Sequence, residues 1–216
     1  MKKIAVLISG SGSNLESIIN ACESKKIFGQ VVCVISNNPA AYGLERAKKF
    51  NINVKVIDHK KFLKRQEFDN NLQIFLEKLS PDLIVLAGFM RILGSKITNK
   101  FNDKMINLHP SLLPLYPGLN THDQVLINND SYHGISIHYV SAKLDAGPLI
   151  AQGIIKVKNN EDKNNLVDRI HKVEHILLPE IINEICLGKI NLIRDKVVYK
   201  DTKSLNEGII RKYYEI

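Results

Sequence analysis

Ile4-Ala-Val-Leu-Ile8 runs into Ser9-Gly10-Ser11-Gly12-Ser13-Asn14, and residues 14–24 then carry apolar side chains at helical spacing. A continuously apolar run of strand length fits a strand covered on both faces. Small residues then make the turn, and a period near 3.6 announces a helix. The same unit recurs. Val31-Val-Cys-Val-Ile35 precedes a helical stretch at 40–50, and Val54-Lys-Val-Ile57 precedes another at 61–79. In the latter, Phe62, Leu63, Phe68, Leu72, Phe75, Leu76 and Leu79 recur on a helical face, and Leu83-Ile-Val-Leu-Ala87 is again strand-like. Strands alternating with helices through residue 110 predict an α/β fold with a doubly wound, mainly parallel sheet flanked by helices.

The second half is less regular. Residues 105–108 read as a short strand and 112–120 as a loop punctuated by Pro and Gly. Strands are expected at 134–140 and 149–157, a long helix at 164–187, and a hairpin over 190–200 turning near Asp195. No linker, charge block or internal repeat divides the chain, so residues 1–216 are expected to form a single domain.

Composition narrows the class. The chain has 216 residues, 44% hydrophobic, with 12 Gly and 7 Pro, which fits a globular domain with a real core and excludes collagen-like or low-complexity chains. Cys22, Cys33 and Cys186 offer neither a disulfide framework nor metal-ligand spacing, as expected in a reducing compartment. The apolar run after Lys2-Lys3 is shorter than the ~7 residues of a signal h-region, and no run approaches the ~18 of a membrane span. A cytoplasmic protein without a membrane partner is expected. The net charge of +8 is compatible with nucleic acid. Its lysines are scattered, as on solvated helix faces, and no aromatics interleave with them, so no nucleic-acid partner is expected. Such a surface also suits small anionic substrates.

Three motifs carry chemistry. The loop from Ser9 to Asn14 can turn backbone N–H groups and a helix N-terminus towards phosphate, or can simply be a tight turn with Ser13 or Asn14 capping the helix. It is no dinucleotide fingerprint, because Leu15 stands where a third glycine belongs. In Ile106-Asn107-Leu108-His109-Pro110, Asn107 and His109 are two apart and share one side of a strand at the carboxyl edge of the sheet. An amide beside an imidazole suits a developing oxyanion, whereas a His beside Pro also serves as a loop anchor. Asp145, in Lys143-Leu-Asp-Ala-Gly-Pro148, could hold an imidazole charged or be ordinary turn chemistry. Spacing alone does not bring it to His109.

His171-Lys-Val-Glu174-His175 matches a zinc-protease pattern. A third ligand is wanting, since Glu184 lies on the same helix and Glu207 and Glu215 near the chain end. No metal is expected. His59, His122 and His133 show no ligand spacing, and His138 reads as a structural strand residue.

Taken together, these blocks resemble the phosphoribosylglycinamide formyltransferase family, the folate-dependent enzymes of purine synthesis. The resemblance rests on Ile8-Ser-Gly-Ser-Gly-Ser-Asn-Leu15, Tyr42-Gly-Leu-Glu-Arg-Ala47 and Leu86-Ala-Gly-Phe-Met-Arg-Ile-Leu93, with Ile106 to Pro114, Tyr116-Pro-Gly118 and Leu144-Asp-Ala-Gly-Pro148. It implies formyl transfer from 10-formyltetrahydrofolate, a consumed co-substrate rather than a tightly bound cofactor, to the amine of glycinamide ribonucleotide. It places the catalytic groups at Asn107, His109 and Asp145 and ribonucleotide contacts at Gly12, Ser13, Asn14 and Glu174. Folate contacts fall at Arg65, Met90, Arg91, Ile92, Leu93 and Asn107, and the peptide before Pro114 is expected to be cis. Asn120 stands where some relatives carry His. Residues 200–216 have no clear counterpart and read as a mobile tail.

A formyl-folate hydrolase and the methionyl-tRNA formyltransferase share the Asn-x-His and Asp-Gly elements. Each carries a further domain for which this chain leaves no expected room. A non-catalytic basic binding module would leave the three polar residues without a role. Monomer and weak homodimer both stay open.

Overall fold

A computed structural model describes residues 1–200 and 209–216. In chain order the elements are β1 (Lys2–Ile8), α1 (Ser13–Glu23), β2 (Gly29–Ser36), α2 (Tyr42–Lys49), β3 (Val54–Val56), α3 (Arg65–Leu79) and β4 (Leu83–Leu86). They continue with α4 (Ser95–Lys100), β5 (Met105–His109), α5 (Thr121–Ile127), β6 (Tyr132–Tyr139), β7 (Leu149–Lys156), α6 (Lys163–Cys186), β8 (Ile190–Ile193), β9 (Lys196–Tyr199) and β10 (Ile210–Tyr213). Eight strands form one sheet in the order β10-β7-β6-β5-β4-β1-β2-β3, while β8 and β9 pair separately. β6 alone runs against both of its neighbours. The remaining pairings in the large sheet are parallel, as the alternating pattern predicts.

β1 shows why its run is unbroken. Ile4, Val6 and Ile8 enter one core, built with α1, α2 and α6. Ala5 and Leu7 enter the other, against Phe68, Leu72 and Leu76 of α3 and Ile97 of α4. Alternate side chains serve opposite faces, so both must be apolar. The strand order reverses between β1 and β4, and the loops after these two strands diverge into a crevice at their carboxyl ends.

The hairpin turns where expected, with Arg194 and Asp195 both at positive φ, as a two-residue type I′ turn requires. The tail differs from expectation. Residues 201–208 lie outside the described residues, but Ile210–Tyr213 extends the main sheet beside β7. Its polar Ile-Arg-Lys-Tyr pattern suits an edge strand. Arg169 of α6, itself buried, secures this end by donating to the main-chain oxygen of Ile216 at 2.6 Å and to that of Lys156 at 2.8 Å. It also grips both oxygens of Glu161 at 2.7 Å. Among the described residues, no helix is long and apolar enough to cross a membrane.

Removing one member of a buried ion pair leaves the other charge unpaired. Arg169→Met is therefore expected to lower the unfolding free energy by about 3–5 kcal/mol in urea denaturation. A loss below ~1 kcal/mol, the range of exposed pairs, would show that the pair does not hold this edge.

Candidate active site

Asn107 and His109 occupy inward positions of β5, at the carboxyl edge of the sheet. The main-chain turn after β5 is fixed by buried polar groups of the neighbouring strands. Ser136 Oγ accepts Leu113 N–H at 3.0 Å and donates to Ser111 O at 2.7 Å, and Gln152 Nε2 donates to Leu113 O at 2.9 Å. The Leu113–Pro114 peptide is cis.

Asp145 lies in the connection between β6 and β7 at φ 46°, a left-handed conformation that Asp tolerates better than most residues. Its carboxylate turns inward and meets three segments. Oδ2 accepts Gly118 N–H at 2.9 Å and stands 3.4 Å from His109 Nδ1. Oδ1 accepts from Asn107 Nδ2 at 3.3 Å and lies 3.7 Å from His138 Nε2. Burial alone would raise this carboxyl. The His138 imidazole 3.7 Å away, the Gly118 hydrogen bond and the nearby His109 outweigh it and hold Asp145 below the usual carboxylate range.

His109 Nε2 faces the carbonyl of Tyr116 at 2.8 Å. A carbonyl only accepts, so this nitrogen carries hydrogen, while Nδ1 faces a carboxylate. Both ring nitrogens thus face acceptor oxygens. His138 is the satisfied strand residue that the sequence suggests, and its place is also beside the candidate site. Its Nδ1 does donate to Tyr139 O at 2.9 Å, but Nε2 faces Asn107 Nδ2 at 3.1 Å inside the site. The signal is cross-strand register, since His138 pairs opposite Asn107.

The first loop brings a second group of predicted residues together. Gly12, at φ 74°, is the N-cap of α1, and no side chain caps this end. The helix-capping reading of Ser13 and Asn14 therefore gives way to an open helix N-terminus with unclaimed N–H groups. A Cβ on Gly12 would stand 2.6 Å from Gly43 Cα. Asn14 Nδ2 instead donates to Glu174 Oε2 at 2.8 Å. Burial raises the Glu174 carboxyl, with Asn14 and His171 opposing it. Arg46, absent from the sequence reading of the site, bonds Ser11 O at 3.0 Å and pairs with Glu16, placing a cation beside the loop. His171 and His175 lie with rings parallel, 6.3 Å apart. Among the described residues, no group of three or more His, Cys, Asp or Glu is arranged to hold a metal ion.

Arg91, Ile92 and Leu93 line one cleft together with Asn107, His138 and Asp145. Met90 stands more exposed, its N–H bonded to Ser9 Oγ at 2.7 Å. Arg65 is exposed at the start of α3, beside Gly94. Sequence reasoning missed Asp69, which is buried and accepts Gly94 N–H at 2.9 Å behind this segment. Burial raises its carboxyl, with the Gly94 bond, Arg65 and Arg91 opposing.

Near the triad, α5 packs a second imidazole pair. His122 Nδ1 and His133 Nε2 are 2.9 Å apart. Burial pushes His122 down to about 4 and, helped by His122, pushes His133 down to about 3. As pH falls through 6.5, the unfolded chain protonates these rings first, so native stability is lost from there towards pH 3. Asp145, with its depressed folded value, contributes stability that is present above 3.8 and lost below it. Urea denaturation across pH should show His133→Gln flattening the loss between 6.5 and 4, and Asp145→Asn flattening only the loss in stronger acid. Equal slopes for wild type and both variants would contradict the assignments.

The chain matches the formyl transferase family over residues 2–182. It is similar to the phosphoribosylglycinamide formyltransferase of Haemophilus influenzae, 41% identical over 205 residues, covering 95% of this chain and 96% of that protein. The Escherichia coli phosphoribosylglycinamide formyltransferase is 41% identical over 189 residues, covering 88% and 89%. In three dimensions the chain resembles the phosphoribosylglycinamide formyltransferase of Coxiella burnetii, solved in complex with CHES. The TM-score is 0.91 at 41% identity, covering 98% of this chain and 99% of that one.

Proposed function

This chain belongs to the formyl transferase family, among the phosphoribosylglycinamide formyltransferases, and on that premise we propose how its residues carry the reaction. The formyl group of 10-formyltetrahydrofolate passes directly to the amine of glycinamide ribonucleotide, in one site and without a covalent enzyme intermediate. The observation that carries the reading is the Asp145 carboxylate, held ionised between His109 and Asn107.

The folate lies in the cleft lined by Arg91, Ile92 and Leu93, with Met90 and Arg65 at its outer reach. The ribonucleotide phosphate takes the open N–H groups of Gly12, Ser13 and Asn14, and Glu174 accepts from a sugar hydroxyl. The two substrates then meet over β5. The amine nitrogen attacks the formyl carbon, and the former carbonyl oxygen becomes an oxyanion. Asn107 Nδ2 and the Nε2–H of the His109 imidazolium, now on the Tyr116 carbonyl, turn to that oxygen, while Nδ1 stays beside Asp145. Asp145 keeps His109 charged and takes the proton released by the amine, through water. The same proton moves to N10 as the carbon–N10 bond breaks, so product and tetrahydrofolate leave with charges balanced. The folate is a substrate, and Asp145 with a water between carries the proton from the amine to N10.

The deciding assay mixes the protein with 10-formyltetrahydrofolate, with and without glycinamide ribonucleotide. Tetrahydrofolate formed only with the acceptor, together with formylated product, is the expected result. Formate released without the acceptor would mark a hydrolase instead. Asn107→Ala and His109→Ala are each expected to cost 10²- to 10³-fold in kcat, about 3–4 kcal/mol, the usual loss of one oxyanion donor. Asp145→Asn is expected to fold and to lose most turnover. Near-wild-type kcat in any of the three would remove that residue from the mechanism.

A further inference from the structure

Ser9 is the residue at which β1 ends, and each of its polar groups is taken by a different partner. Its N–H donates to Gly88 O at 3.1 Å, and its carbonyl accepts from Asn38 Nδ2 at 3.2 Å. Its hydroxyl accepts Met90 N–H at 2.7 Å and donates to Asn37 Oδ1 at 2.5 Å. Asn37 is 4% exposed, and its carbonyl accepts from His59 Nδ1 at 2.8 Å. The loops after β1, β2 and β4 are thus joined through one side chain and its buried support, on the crevice where the sheet order reverses.

We propose that Ser9, backed by Asn37, is a positioning residue that fixes the ribonucleotide loop relative to the folate-lining segment and so sets the approach of amine to formyl carbon. The proposal rests on the two-substrate reading above. In that reading Gly12, Ser13 and Asn14 hold one substrate, and the segment from Met90 to Leu93 holds the other. These segments follow different strands, and loops are the parts of a fold most free to move relative to one another. Reacting atoms must lie about 3–3.5 Å apart, and a displacement near 1 Å costs about 10²-fold in rate. A hydroxyl suits the post because it accepts and donates at once on the shortest available stem. Neither Ser9 nor Asn37 contacts the Asp145 carboxylate, so their effect on rate acts through placement and not through proton transfer.

The test compares wild type with Ser9→Ala, Ser9→Thr and Asn37→Ala. Steady-state transfer gives kcat, and calorimetry gives the binary dissociation constants for glycinamide ribonucleotide and for tetrahydrofolate, each alone. Ser9→Ala is expected to lower kcat about 10- to 100-fold, with each binary constant within ~3-fold of wild type, because each loop still holds its own ligand. Ser9→Thr keeps the hydroxyl and is expected to keep most of the rate. Asn37→Ala should show the same split at smaller size, which preserves the test if Ser9→Ala folds poorly. Hydrogen exchange at the Met90 amide should accelerate in Ser9→Ala and not in Ser9→Thr. A kcat loss accompanied by equally weakened binary binding means that the residue merely supports the loops, and it overturns the proposal. An unimpaired kcat in Ser9→Ala overturns the proposal alone, while absence of transfer by the wild-type chain overturns the activity reading and the proposal with it.

Discussion

Asp145 reaches β5 because the connection between β6 and β7 folds tightly over the end of the sheet. At Gly147 a Cβ would stand 1.7 Å from the Tyr139 carbonyl, so only glycine allows the chain to pass there. Two residues earlier, the left-handed turn at Asp145 aims the carboxylate inward, where Gly118 N–H, Asn107 and His109 meet it. Gly118 belongs to the loop after the cis Leu113–Pro114 peptide, so that loop and the one carrying Asp145 fix one another. The antiparallel β6 makes this possible. Its reversal runs the chain back along β5 to finish with Tyr139 opposite Ile106, so the connection that follows lies beside the first half of β5, within reach of Asn107.

Sequence reading performed unevenly for reasons that lie in the elements themselves. β1, β2 and β4 were plain because both faces are covered, so their apolar runs are unbroken. α4 and α5 are six and seven residues long, too short for helical periodicity to stand out from loop composition. β10 carries Arg211 and Lys212 between Ile210 and Tyr213 and looks like tail. Its place is decided by pairing with β7 and by the grip of Arg169, over forty residues away in sequence. In the site, Asn107 and His109 were legible together because strand period places them on one face. His138 was not, because its role follows from pairing opposite Asn107, and register between strands leaves no local mark. The family resemblance named Asp145, and spacing alone did not.

Histidine shows how strongly placement overrides residue type. His109 and the pair His122 and His133 are all largely enclosed, yet their surroundings differ in kind. His109 has acceptors at both ring nitrogens, one of them an ionised carboxylate. His122 and His133 face each other, so charging one would set a cation against its neighbour, and burial pushes both well below the ordinary value. The same side chain is therefore placed between two oxygen acceptors on β5 and against a second imidazole between α5 and β6.

The same logic separates what must be rigid from what must yield. Asn107 and His109 project from a strand paired on both sides, so their spacing is fixed by the sheet. Asp145 and the segment from Met90 to Leu93 come from loops, whose place the strand pairing does not fix. A loop keeps one geometry only if polar contacts tie it to its neighbours. Gly118 N–H and Asn107 supply them for Asp145, and Ser9 supplies one for Met90. The ties hold the Met90 main chain and the Asp145 side chain, while the side chains of Met90, Ile92 and Leu144 stay exposed. Position is thus fixed by polar contacts, and the surface is left to apolar side chains that no tie involves.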